Sequence, residues 1–195
     1  MNKPKKTAVV ETAGALVAIG FLVLATLACS GMAGNVTNPP GRAQLTVKMH
    51  DDPGEDSQIA QANVTFSAMQ AHSAGGGDVA VSGSFPMSVD LLTLVNGRTI
   101  TLAAESIPPG SYDRLDVTIS AVSLTLTNGT KVDITLPAGG RTAMIPTSFT
   151  VELGQPVTVT LDFRVDLSFK FDGAEFEFEP EIEIEGIEHG IEGDH

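Results

Sequence analysis

From Gln44 onward the chain alternates apolar and polar residues with a period of two. "QLTVKMHD" at residues 44–51 alternates, and so do "IAQANVTFSAM" at 59–69 and "DRLDVTISAVSLTLT" at 113–127. "VDITLP", "FTVEL" and "PVTVTLDFRVDLSFKF" follow. A period of two places successive side chains on opposite faces of a strand, so one face of each segment is apolar. In the 113–127 run, Leu115, Val117, Ile119 and Ala121 share that face. No segment after Ser30 keeps a helical period for three turns. Turn signals punctuate the pattern: Pro53-Gly54, Gly75-Gly76-Gly77, Asn96-Gly97, Pro109-Gly110, Asn128-Gly129, Gly139-Gly140, Gly154 and Asp172-Gly173. Short strands at this spacing predict an all-β domain, a single antiparallel β-sandwich with Greek-key or transthyretin-like connections. Eight or nine strands fit between Gln44 and Glu188, and residues 189–195 form an acidic tail.

The last two strands carry the densest chemistry. Val157, Val159, Leu161, Phe163, Val165, Leu167, Phe169 and Phe171 occupy one face of the first. From Glu175 to Glu185 every second residue of the next is Glu. The hairpin turns at Asp172-Gly173. The simplest register pairs Phe169 with Phe176, Lys170 with Glu175, Asp166 with Glu179, Arg164 with Glu181 and Asp162 with Glu183. Pro180 lacks an N–H and cannot sit where the ladder needs a donor. A four-residue loop from Phe171 to Ala174 turns its nitrogen away from the neighbour and puts the last strand at a sheet edge. Asp162, Asp166, Glu179 and Glu183 then form a candidate cation site, of the oxygen-ligand kind that takes calcium. Arg164 in their midst opposes a metal. The same row also reads as a solvated edge that blocks aggregation, or as a surface for a basic protein.

"HDDPGED" at residues 50–56 offers a second candidate calcium loop through Asp51, Asp52, Glu55 and Asp56. Its spacing is not that of an EF-hand, and an acidic β-turn at Pro53-Gly54 is the competing reading. No pair among His50, His72, His189 and His195 has zinc-ligand spacing on a shared element. The chain shows no nucleophile elbow, P-loop, dinucleotide fingerprint or haem-attachment motif, and no arrangement that reads as a catalytic triad. A non-catalytic module is therefore expected. Tyr112, the only Tyr, follows Pro109-Gly110 and is expected to tie a strand corner to the backbone.

The N-terminus changes the picture. Lys3, Lys5 and Lys6 precede an apolar run from Gly14 to Ala28, and then comes Cys29, the single Cys. A basic stretch and a short apolar run read as a secretory signal peptide. Small residues before a Cys resemble the lipobox of bacterial lipoproteins, in which the thiol takes a diacylglyceryl group and becomes the new N-terminus. Residues 1–28 are expected to be removed and Cys29 lipidated. Ser30, a residue other than Asp, points by the same resemblance to the outer membrane. Residues 29–43, rich in Gly, Pro and Asn, read as a flexible tether to the domain at 44–188. The formal net charge is −13. Nucleic acid is excluded as a partner, because phosphate binding needs clustered Lys and Arg. Aromatics make up 5% of the chain and Trp is absent, which disfavours a sugar-stacking platform.

"DDPGE", "VDLLTLVNG", "IPPGSYDRLDVTI", "LDFRVDLSF" and "EPEIEIEG" resemble, in that order, the domain-of-unknown-function family numbered 4382, of bacterial secreted proteins and lipoproteins. The resemblance covers about residues 43 to 187. It implies a β-sandwich and a cell-envelope address, and carries over no catalytic residue. Glu179 stands where many members have a basic residue. "IPPGSYDRLDV" is also similar to a turn of transthyretin-like modules, an analogy of fold alone. Two functions remain open. One is a lipid-anchored binding or structural module for a cation, a glycan or an envelope protein. The other is an accessory subunit or hydrolase acting on envelope polysaccharide or protein.

Overall fold

A computed structural model describes residues 41–51, 58–173 and 175–190. Its strands are β1 (Ala43–His50), β2 (Ile59–Ser73), β3 (Asp78–Ala80), β4 (Met87–Asp90), β5 (Ile100–Ile107), β6 (Gly110–Leu126), β7 (Lys131–Ile134), β8 (Arg141–Val151) and β9 (Val157–Phe163). A helical turn, α1 (Val165–Ser168), comes next, then β10 (Phe169–Phe171), β11 (Phe176–Phe178) and β12 (Ile182–His189). One sheet has the order β12-β9-β1-β5. The other has β2 and β6 at its centre, with β3 and β4 along the far edge of β2 and β8 and β7 along the far edge of β6. β10 and β11 form a separate two-stranded ribbon. The fold is the expected all-β sandwich, antiparallel except for the β1–β9 pair.

The core lies between the two larger sheets. The four-stranded sheet contributes Leu45, Val47, Met49, Val159, Leu161 and Phe163, and the six-stranded sheet contributes Val64, Phe66, Leu115, Val117, Ile119 and Leu124, all buried. Phe66 and Phe163 meet edge to face across the layers at 6.3 Å. Each such side chain, fully buried, contributes roughly 1.5–3 kcal/mol relative to an exposed one.

Where the apolar residues step by three instead of two, the sheet answers with a bulge. The buried series Ala62, Val64, Phe66 jumps to Met69, and Val117, Ile119 jumps to Val122. In the β2–β6 register, Ser67 and Ser120 have no counterpart. One extra residue reverses the alternation and returns the later side chains to the core. The Ser67 hydroxyl donates to the Thr118 carbonyl at 3.3 Å, and the Ser120 hydroxyl to the Thr65 carbonyl at 3.4 Å. Ala121, expected on the buried face with Ile119, is therefore exposed. β12 does the same: Glu185 is the extra residue opposite β9, so Ile184 and Ile187 both pack on the core.

Candidate functional site

The run from Val157 to Phe171 is not one strand. β9 ends at Phe163 and pairs with β12 as expected, Glu183 opposite Asp162 and Ile182 opposite Phe163. The ribbon pairs differently: Phe169 faces Phe178, Lys170 faces Glu177 and Phe171 faces Phe176. The expected partners Lys170–Glu175, Phe169–Phe176 and Asp166–Glu179 are not made. The reason is α1, which inserts extra length into the first strand between two paired regions. The turn shows Leu167 to solvent and buries Ser168, against the expected alternation.

Ser168 explains why the break sits here. Its carbonyl accepts the Glu179 N–H at 3.0 Å, and its hydroxyl oxygen accepts the Glu181 N–H at 2.9 Å. One fully buried serine thus holds both donors that flank Pro180, the residue with none to give. Pro180 lies between β11 and β12, outside any ladder. The loop is four residues long, as expected, but spans 172–175 rather than 171–174. The Asp172 N–H donates to the Glu175 carbonyl at 3.2 Å, and the Glu175 N–H to Asp172 Oδ1 at 2.9 Å. Gly173 takes φ +97°, the left-handed conformation such a loop needs.

The break scatters the carboxylates. Asp162 and Asp166 flank Arg164, with Nε 3.9 Å and 3.5 Å from their oxygens. Asp166 first, then Asp162 and Glu183, hold the Arg164 guanidinium above its ordinary pKa. Glu179 turns instead to Lys170 at 3.3 Å and Arg141 at 3.9 Å. Asp162, Asp166, Glu179 and Glu183 therefore do not converge on one ion. Among the described residues, no three His, Cys, Asp or Glu side chains are grouped to hold a metal. Glu185 reaches His50, 2.9 Å from its Nε2. Every Glu from Glu175 to Glu185 in the row is exposed.

The second candidate set divides as well. Asp51 is buried, its Oδ1 accepting the Val165 N–H at 3.3 Å while its own N–H donates to the Leu94 carbonyl. It fastens the end of β1 to the start of α1. Asp52, Glu55, Asp56 and Cys29 lie outside the described residues. Tyr112 fills the expected corner role: its hydroxyl donates to the Pro108 carbonyl at 2.8 Å, and its ring stacks on Phe149 at 5.2 Å.

Two features were not read from the sequence. On the outer face of the six-stranded sheet, Arg114 makes a two-pronged contact with Asp116 at 2.7 and 3.1 Å, beside Asp78, and His72 meets Asp113 at 2.7 Å. At the ribbon, a groove is lined by Leu126, Val132, Asp133, Ile134, Phe171 and Phe176, with Glu175 at its rim. Phe171 is 57% exposed, its ring 5.0 Å from that of Phe176. Alternation had assigned Phe171 to the buried face. The ribbon is too far from the core at its tip to bury it, a fact of tertiary placement that local pattern does not carry.

Set beside known proteins, the chain matches no curated protein. Residues 42–180 match the model of a family described as "Domain of unknown function (DUF4382)". The match ends at the proline between β11 and β12, so it takes in the sandwich and the ribbon but not the last strand. The chain therefore belongs to the DUF4382 family.

Proposed function

We propose that this chain is a binding module of the bacterial cell envelope, tethered to the outer membrane by lipid on Cys29 and acting by contact rather than by catalysis. The observation that carries this reading is the groove at the β10–β11 ribbon. An aromatic side chain left in water on the tip of a two-stranded ribbon costs the fold apolar burial, and such surface marks interaction sites. The carboxylates support the same view from the other side. Arg164, Lys170, Arg141 and His50 occupy them, as in a surface organised for its own stability. The basic start, apolar run and single Cys supply the tether, and residues 30–43 its length.

The test is metabolic labelling with radioactive palmitate, followed by membrane fractionation. The wild-type chain is expected to carry label and to sediment with outer membranes. Cys29→Ser is expected to lose label and leave that fraction. Labelling that survives the substitution, or an unlabelled wild-type chain, sinks the tether.

A further inference from the structure

The groove has a shape that specifies its occupant. Val132, Asp133 and Ile134 are consecutive residues of β7, and all three line it. Alternate side chains of a strand point to opposite faces, so a cavity touched by consecutive residues runs along the strand's edge. β7 is the terminal strand of its sheet, and among the described residues no strand pairs with its outer edge. That edge offers backbone N–H and C=O groups to an incoming chain. Across the groove stand Phe171 and Phe176.

We propose that β7 binds an extended segment of another protein by strand addition, the segment alternating apolar residues with Lys or Arg. This rests on reading the chain as a binding module, and it names the partner's chemistry. The alternation follows from the pleat. An added strand continues both faces of β7. On one face its side chains extend the Val132 and Ile134 row toward the two Phe rings, where apolar groups fit. On the other they stand beside Asp133, where a cation is favoured. Both charged groups of the groove, Asp133 and Glu175, are exposed acids. A Lys or Arg near the rim also meets the faces of Phe171 and Phe176. The groove of about 420 Å³ is room for a few side chains, not for a folded domain. Acidic peptides are repelled, and a small cation lacks the backbone to pair with β7.

The experiment is fluorescence anisotropy with the full chain in detergent. The probes are a fluorescein-labelled hexapeptide of alternating Lys and Val, a Glu-Val counterpart, a Lys-Val peptide with its three Lys and three Val in blocks, and lysine amide as competitor. The alternating Lys-Val peptide is expected to bind saturably. Phe171→Ala and Asp133→Lys are each expected to weaken it at least about tenfold, as central anchors do. Both positions are exposed, so both variants are expected to melt with the wild type. The Glu-Val and block peptides are expected to bind at least about tenfold more weakly, and lysine amide not to compete. The proposal is overturned if either variant binds like the wild type, or if the acidic or block peptide binds equally. It is also overturned if lysine amide displaces the probe, if no saturable binding is found, or if self-association of the chain fills the groove instead. Loss of the groove in this assay, with Cys29→Ser still releasing the chain from membranes, rejects the partner and leaves the tether standing.

Discussion

Two stretches of this chain look alike on paper and fold differently. Gly110–Leu126 and Val157–Phe171 both alternate over four or more turns of the pleat. The first becomes a single strand, β6, ordered along its whole length against β2 on one side and β8 and β7 on the other. The second breaks into β9, α1 and β10. Alternation says that a segment can pair; the neighbour decides where it does. β6 lies between partners that supply donors and acceptors on both edges, and its irregularities are bulges that serine hydroxyls patch. The segment after Phe163 faces Glu179-Pro180-Glu181. A proline there removes a ladder donor, and α1 forms in the gap with Ser168 reaching across.

The largest effect expected on this contrast is at the hinge between ribbon and core. Phe178 is 4% exposed, stacked on Phe163 at 6.5 Å and against Phe169 at 5.0 Å. Phe178→Ala is expected to cost ~3–5 kcal/mol in urea unfolding, and Phe171→Ala within about 0.5 kcal/mol of nothing. Equal losses would mean that the ribbon is part of the core throughout, and that the contrast drawn at its tip is wrong.

Each half of the comparison has its own weak point. Gly140 sits at φ +86°, and a Cβ there would lie 2.2 Å from the Ile119 carbonyl oxygen, beside the β6 bulge. Gly140→Ala is expected to destabilise by ~1–3 kcal/mol, since both strain and backbone contact oppose it. Ser168→Ala removes the acceptor of the Glu181 N–H and leaves that donor in a partly buried place. A loss of ~1–3 kcal/mol is expected, with faster hydrogen exchange at Glu181 but not at Glu179, whose acceptor is backbone. Unchanged exchange at Glu181 would show that Ser168 does not hold the break.

These positions also show what local pattern can carry. The sandwich was legible because its strands are half-buried, and half burial writes a period of two directly into the residues. The bulges were legible in principle, as three-residue steps at Phe66–Met69, Ile119–Val122 and Ile184–Ile187, though Ala121 was placed on the wrong face by counting in twos. Pro180 was a correct sign of an interruption. What it could not say was that the interruption would fall on the opposite strand as a helical turn, because that depends on Ser168 finding two donors from residues far along the chain. The groove was illegible for a similar reason: Val132 and Phe171 are distant in sequence and adjacent only in the fold.

A smaller effect is expected at the corner of β6. Tyr112→Phe deletes the hydroxyl bonded to Pro108 and is expected to cost about 1 kcal/mol at neutral pH. Burial raises the Tyr112 pKa above its ordinary value, with nearby Arg42 pulling the other way. The neutral phenol is favoured in the folded state, so its contribution is complete below the unfolded pKa of about 10 and is lost as pH rises through the folded value. Tyr112→Phe is therefore expected to lose less stability than the wild type on going from neutral to strongly alkaline solution. As the chain has a single Tyr, tyrosinate absorbance follows that group alone. A common alkaline slope for both proteins would remove the linkage.

The smallest effect, and the one that most sharpens the reading of the hairpin, concerns calcium. Arg164 lies between Asp162 and Asp166, with Glu183 near enough to add to its field. A fixed guanidinium in that position already supplies the positive charge, and a divalent ion would have to displace it or lie beside it. Millimolar calcium is thus expected to shift the melting temperature of the wild type and of Asp162→Asn equally, with no contribution from this face beyond ionic strength. Arg164→Gln leaves the same carboxylates facing one another without a cation. In that variant calcium is expected to raise the melt, and Asp162→Asn on the Arg164→Gln background to abolish the rise. Binding at 100 times the dissociation constant would show as about 2.7 kcal/mol. A calcium rise in the wild type that vanishes in Asp162→Asn would reverse the conclusion: the arginine would be a neighbour of a cation site rather than its occupant, and the row of acids a site rather than an edge.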